Sequence, residues 1–218
     1  MPTPGIARTR CLPLRKNEHV ELAAGAERFS VADLYELADL VGRAWMSAAE
    51  RDWSVTAGAV EWSCTKTADH AVDCVYAPAF FLASRKLDAY PEVGLDLTLG
   101  PAATPQRLVE SLGTATRLLG AVVNDAGPEV RAVIFRRPEM ITAAAPDFAP
   151  RGAMELILHA HDVCSGLGVP FEPPAGLCRR LREHTRAWPM WTVAWNGLDC
   201  TDDPWRDLLA GSGRQRAV

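Results

Sequence analysis

The stretch MELILHAHDV, residues 154–163, contains two histidines, a glutamate and an aspartate among residues that are otherwise small or apolar. Apart from these four groups, the segment has the composition of a buried helix. Titratable groups are tolerated on an apolar face only when they are paired or bind something. The stretch therefore predicts a core helix whose polar side chains serve a purpose other than contact with water.

Helical geometry sorts these polar groups onto two faces. Glu155 and His159 are four residues apart, so they share a face with Cβ atoms about 5–6 Å apart. Asp162 follows His159 by three residues and joins that face, whereas His161 points nearly the opposite way. Leu158 lies beside the polar face and directs it toward the core. We therefore take Glu155, His159 and Asp162 as the candidates and leave His161 out.

A Glu-x-x-x-His pair supplies one carboxylate oxygen and one imidazole nitrogen, and a catalytic metal site takes a third protein ligand. His70 offers that ligand within TADHAVDCV, a segment that also has an apolar helical pattern. Asp73 and Asp162 each follow a histidine by three residues, so each is expected to accept a hydrogen bond from its ring. The same spacings also fit a hydrogen-bonded Glu–His pair and a core histidine. The identity of the metal also stays open, because two histidines and a carboxylate are the ligands of a ferrous facial triad as well.

The remaining sequence predicts an all-α protein. Apolar residues recur at helical spacing in four long segments, with Ser30 and Thr104 as N-caps and little strand signal except RAVIF at 131–135. The four segments are approximately 30–50, 63–86, 104–125 and 150–168. We expect residues 1–27 to form a tail, residues 28–168 a four-helix bundle, and residues 169–218 an extension packed on that bundle.

The extension is predicted to contain two further helices, at about 174–188 and 203–211, with the aromatic segment WPMWTVAW between them. His184 lies on the first of these among several arginines and is expected in solvent, while His19 falls in the tail. Neither histidine is a candidate ligand.

Composition excludes several classes of function. The chain has 218 residues and a net charge of −4, and it lacks a Lys/Arg-rich run, which argues against a nucleic-acid surface. Its longest apolar stretch, YAPAFFLA, is too short to span a bilayer. The first residues lack the pattern of a secretory signal, and the six cysteines form no C-x-x-C pair. We therefore expect a cytoplasmic protein with reduced thiols and no cysteine-rich zinc site.

Three motifs together resemble a known family. They are DWSVTAGAVEWSCTKTADHAVD at 52–73, the Glu-x-x-x-His-x-x-Asp pattern of 155–162, and DPWRDLLAGSGR at 203–214. Over roughly residues 30–213 the chain resembles the DinB-like superfamily, and within it the N-terminal domain of mycothiol-dependent maleylpyruvate isomerases.

This resemblance implies an up-down four-helix bundle that binds a divalent metal, usually zinc, through His70, Glu155 and His159. It also implies mycothiol as the partner thiol and a small electrophilic substrate. S-transferase activity and isomerase activity both fit this chemistry, and a homodimer is compatible with it. Arg136, Arg137, Arg179 and Arg180 are candidates for binding the substrate or the thiol. The alternative is a non-catalytic bundle that binds a metal or a small ligand.

Overall fold

The structure is a computed structural model that describes residues 28–58, 60–91, 97–137, 139–192 and 200–214. These residues are mostly helical with a small two-stranded sheet, which is compatible with the all-α class. They belong to two compact units, one spanning Arg28–Pro173 and the other containing Pro174 and the residues after it. No helix within the described ranges is both long enough and apolar enough to cross a membrane. The predicted tail, 1–27, lies outside the described residues.

Four long helices build the first unit and pack around a shared apolar core. Helix α2 contacts both α3 and α4, and α1 also contacts both of them. The helices are α1 (Val31–Ser47), α2 (Cys64–Ser84), α3 (Pro105–Asp125) and α4 (Phe148–Leu167). An apolar stripe on α2 is buried throughout, at Ala68, Val72, Val75, Ala79 and Leu82.

The helix ends follow the capping residues in the sequence. Ser30 accepts a hydrogen bond from the Asp33 backbone N–H, and the Asp33 side chain accepts one from the Ser30 backbone in return. Thr104 caps α3, as predicted, with a proline in the first turn. Helix α4 begins at Phe148, two residues before the predicted start, and ends at Gly168, whose φ of 64° suits glycine.

The predicted extended piece is confirmed as strand β1 (Arg131–Phe135). It pairs antiparallel with β2 (Ile141–Ala144), which the sequence pattern did not identify. Ala132 to Phe135 are buried, and the Val133 N–H donates to the carbonyl of Lys86 just beyond the end of α2. The sheet therefore attaches to the C-terminal end of α2 and leads the chain into α4.

The second unit contains α5 (Ala175–Thr185), α6 (Pro189–Thr192) and α7 (Pro204–Gly211). Asp203 caps α7, and a buried ion pair between Arg182 and Asp207 joins α5 to α7. Residues 193–199 of the predicted aromatic segment lie outside the described residues. The prediction that His184 lies in solvent is wrong, because its exposed fraction is 8%. His184 follows the buried Leu177 and Leu181 by seven and three residues, so it continues their apolar stripe.

All five cysteines in the described residues are free thiols. Cys64 and Cys164 are fully buried near each other in the first unit, where burial raises the pKa of Cys64 to about 11 and that of Cys164 to about 12. These side chains act as small core residues.

We expect Gly166→Ala to destabilise the protein by about 1–3 kcal/mol or more, because overpacking a core strains its neighbours. A Cβ at Gly166 would lie 2.4 Å from the Thr56 carbonyl oxygen and 2.7 Å from Cys64 Sγ. Gly113→Ala on α3 is the matched control, since its Cβ meets only the flexible end of Arg117. That change should stabilise by up to about 1 kcal/mol through helix propensity. Urea unfolding of both variants checks the opposite signs, and equal effects would contradict the close contact.

We expect stability to fall between about pH 8 and pH 10, and to fall less in Cys164→Ala. A thiol whose pKa is raised by folding loses its proton more readily in the unfolded chain, so stability present below the unfolded pKa of about 8.5 is lost as pH rises. Cys164 should account for about 1–2 kcal/mol of this loss at pH 10.

The control for this effect is Val163→Ala, which removes atoms from a neighbouring buried side chain that does not titrate. Both variants lose packing, but only Cys164→Ala should show a flatter pH dependence of the urea midpoint. Parallel pH profiles for the two variants would be inconsistent with a buried, raised-pKa thiol at position 164.

Candidate functional site

Helix α4 presents Glu155, His159 and Asp162 on one face, as predicted. His159 Nδ1 lies 3.2 Å from Asp162 Oδ2, and His159 Nε2 lies 3.7 Å from Glu155 Oε2. Asp162 is 1% exposed, so its carboxylate holds the ring from the buried side. With a proton on Nδ1 directed at Asp162, the lone pair of Nε2 faces Glu155 and His70.

His70 meets this group from α2. The ring centroids of His70 and His159 are 5.2 Å apart at an interplanar angle of 70°. On its other side, His70 makes an edge contact with Trp62, also with a centroid distance of 5.2 Å. The structure therefore brings together His70, Glu155 and His159, the three residues that the sequence singled out.

Two glycines on α4 explain why the histidines face each other. A Cβ at Gly152 would lie 3.6 Å from the Val75 Cα, and a Cβ at Gly166 would lie 2.7 Å from Cys64 Sγ, so α4 approaches α2 closely at two points. His159 is midway in sequence between the two glycines. His70 is close to midway between Cys64 and Val75. The two contact points thus fix the register that sets the imidazoles opposite one another.

Charges around the site favour the protonation states that bind metals. Burial acts to raise the pKa of Glu155, but Arg151, His159 and then His70 outweigh it, and the pKa lies below its ordinary value. Arg151 Nη1 donates to Glu155 Oε1 at 2.7 Å. Burial, followed by the neighbouring His159, lowers the pKa of His70. The carboxylate is therefore ionised and the His70 ring neutral at physiological pH, as ligands must be.

Arg151 was not identified from the sequence, although it precedes Glu155 by four residues and the ordinary helix pairing rule points to it. Cys74 was also missed as a site residue. It follows His70 by four residues, and its Sγ lies 3.4 Å from His70 Nε2. Burial raises the pKa of the Cys74 thiol, so this sulfur is not an activated nucleophile by itself.

Two carboxylates on α2 bind the backbone of the segment that precedes α3. Asp69 accepts hydrogen bonds from the N–H groups of Leu99 and Gly100 at 2.7 and 2.8 Å. Asp73 accepts one from Leu97 N–H at 3.2 Å, and its charge acts to raise the pKa of His70. The expectation that Asp73 orients the His70 ring stays a prediction.

A cavity of about 600 Å³ opens beside His70. Its lining includes Trp62, Lys66, Asp69, Asp73 and Thr98 together with His70. Trp62 is 38% exposed, and the Lys66 ammonium lies 4.5 Å from its ring centroid. The cavity thus offers an apolar aromatic surface and a cation next to the imidazole.

The four arginine candidates remain unassigned. Arg136 and Arg137 are exposed after β1, where the Arg136 guanidinium lies 5.1 Å from the Tyr90 ring centroid. Neither is among the described residues that line the cavity. Arg179 and Arg180 lie on α5 of the second unit, and their role in binding stays a prediction.

Two pairs of donor atoms are each spaced as two ligands of one divalent metal would be. Two protein donors on one tetrahedral zinc, at bond lengths of about 2.0–2.3 Å, lie about 3.3–3.8 Å apart. The His159–Glu155 separation of 3.7 Å and the His70–Cys74 separation of 3.4 Å are close to this value. Within the described residues, however, no group of three or more His, Cys, Asp or Glu is already arranged to hold an ion. A shared ion therefore requires the two pairs to move closer together.

No protein-family model matches the chain, and no curated protein or solved structure matches it significantly. Function is therefore inferred from the side chains and distances described above.

We expect neutral His159 to carry its proton on Nδ1 and Asp162→Ala to shift that proton to Nε2, because the carboxylate 3.2 Å away stabilises the Nδ1–H form. Imidazole ¹⁵N chemical shifts of the chelator-treated protein distinguish the two tautomers, and His159→Gln assigns the resonance. His161, on the same helix, is the internal control and should keep its tautomer in Asp162→Ala. An unchanged His159 tautomer would show that Asp162 does not orient the ring.

Proposed function

We propose that this protein is a metal-dependent enzyme that activates a low-molecular-weight thiol for S-transfer to, or thiol-assisted isomerisation of, a small electrophile. His70, Glu155 and His159 are the protein ligands of the ion. The observation that carries the proposal is their convergence from two packed helices, with Glu155 ionised beside Arg151.

The architecture that we propose is a DinB-like up-down four-helix bundle formed by α1 to α4. Their mutual packing in the first unit supports it, together with the three sequence motifs that resemble this superfamily. That resemblance also favours zinc as the ion and mycothiol as the thiol. The free cysteines in the described residues suit the reducing cytoplasm in which we place the protein.

Each residue near the ligands has a defined part in the proposed chemistry. A bound divalent ion lowers the pKa of a coordinated thiol, which makes the sulfur a nucleophile at neutral pH. Asp162 holds the His159 ring in one orientation, and Arg151 keeps Glu155 ionised. Trp62 and Lys66 line the cavity beside His70, where they bind an apolar surface and an anionic group of the thiol or the electrophile.

A second candidate function is a non-catalytic protein that binds a metal or a small ligand. The Cys74 sulfur favours it, since it lies 3.4 Å from the His70 nitrogen and so adjoins the position that an external thiol would take. Calorimetry separates the two functions, because only the enzyme needs to bind mycothiol or a related thiol in the presence of metal.

We expect the purified protein to contain about one divalent ion per chain, and His159→Ala to lose it. Removing a ligand should weaken binding by more than the roughly 10–100-fold that follows loss of a residue supporting a ligand. His161→Ala is the matched control on the same helix and should retain the metal. Elemental analysis gives the metal content, and circular dichroism should show the helical signal of both variants intact.

Two results would contradict this function. One is wild-type protein that holds no divalent ion after expression in metal-supplemented medium and takes up none on titration. The other is equal metal content in His159→Ala and His161→Ala. If metal binds but mycothiol and its surrogates give no heat, the non-catalytic alternative replaces the enzyme.

A further inference from the structure

We propose that Cys74 is a fourth protein ligand of the metal, so that the resting site is closed and an external thiol binds only by displacing the Cys74 sulfur. This inference rests on the proposed metal site and adds to it a residue of this chain. It changes the expected resting state from three protein ligands with open positions to a complete set of four.

The first support is a repeated arrangement on two helices. His70 and Cys74 are four residues apart on α2, and Glu155 and His159 are four residues apart on α4. The donor atoms are 3.4 Å apart in the first pair and 3.7 Å in the second, and both values suit two ligands of one tetrahedral ion. Each helix therefore contributes one imidazole and one acidic group, and the Cys74 thiol would release its proton to solvent on binding the ion.

The second support is the direct approach of the two helices at this level. A Cβ built on Gly152 would lie 3.6 Å from Val75 Cα and 3.9 Å from the Cys74 carbonyl oxygen. Glu155 follows Gly152 by one turn, so Cys74 and Glu155 belong to adjoining turns of touching helices. The ring contact between His70 and His159 joins the other two members, with centroids 5.2 Å apart.

A closed site has a chemical consequence for thiol selection. Four protein ligands around zinc are typical of sites that exclude water and small adventitious ligands. The Cys74 sulfur is held beside the ion at high effective concentration, so an incoming thiol must gain additional contacts to compete. The cavity wall at Trp62 and Lys66 supplies such contacts. In the exchange, the incoming thiol gives up its proton and the departing Cys74 sulfur takes one up, so the proton balance closes.

Cobalt(II) provides the test, because thiolate coordination to this ion produces an intense near-ultraviolet charge-transfer band. The wild-type protein, freed of metal and titrated with Co²⁺, should show the band at about one ion per chain. Cys74→Ala should bind Co²⁺ more weakly and lack the band, and Cys74→Ser serves the same purpose if the alanine variant is unstable. Cys164→Ala, which changes another buried cysteine of the first unit, should keep the band.

The displacement step is tested with N-acetylcysteine as the external thiol. Co²⁺-loaded Cys74→Ala should bind it about tenfold or more tightly than wild type, since no internal sulfur competes, and should regain the charge-transfer band. Equal affinity in the two proteins overturns the displacement.

The remaining outcomes separate this inference from the proposed function. Stoichiometric Co²⁺ binding by wild type without a sulfur band, lost in His159→Ala, overturns the role of Cys74 and leaves the metal-dependent function standing. A band that persists in Cys74→Ala overturns it as well. Absence of any Co²⁺ binding overturns both.

Discussion

The close contact between α2 and α4 is the constraint on which the site depends. At Gly152 and Gly166 the absence of a side chain lets α4 approach α2 closely, and the polar residues between these two points lie at the interface of the two helices. His70 and His159 face each other for this reason, rather than through any attraction between two imidazoles. A helix pair held at two points also resists sliding, which keeps the two pairs of polar side chains at the same level along the helices.

The same closeness determines the electrostatics. Side chains between tightly packed helices are removed from water, and an isolated charge there would be costly. The site avoids that cost in two ways. The Arg151 cation pairs with the Glu155 carboxylate. Burial and the neighbouring His159 lower the pKa of His70, so its ring stays neutral. A neutral imidazole and a paired carboxylate are also the forms in which these groups donate electrons. The packing that stabilises the fold and the charge states of these side chains thus have one origin.

Local sequence rules anticipated those parts of the molecule that depend on local geometry. Helical spacing located α1 to α4, the capping role of Ser30 and the shared face of Glu155, His159 and Asp162. The same spacing rule also points to Arg151 and Cys74, each of which lies four residues from a candidate residue. Neither was selected, because Cys74 has apolar neighbours and Arg151 resembles an ordinary surface charge. His184 was misjudged because the surrounding arginines outweighed its register with Leu181. Strand β2 depends on pairing with the neighbouring β1, and the hydrogen bonds from Leu99 and Gly100 to Asp69 join separate segments; helical periodicity encodes neither contact.

The hydrogen bonds that Asp69 accepts from Leu99 and Gly100 also bear on the mechanical properties of the cavity. Asp69 is the residue immediately before His70, and its carboxylate holds two consecutive backbone amides of the wall opposite, at the entrance to α3. The helix that presents the imidazole and the facing wall are therefore tied together by these two hydrogen bonds. We expect a molecule that enters the cavity to be selected by its thickness and outline, because these bonds hold the width between ring and wall.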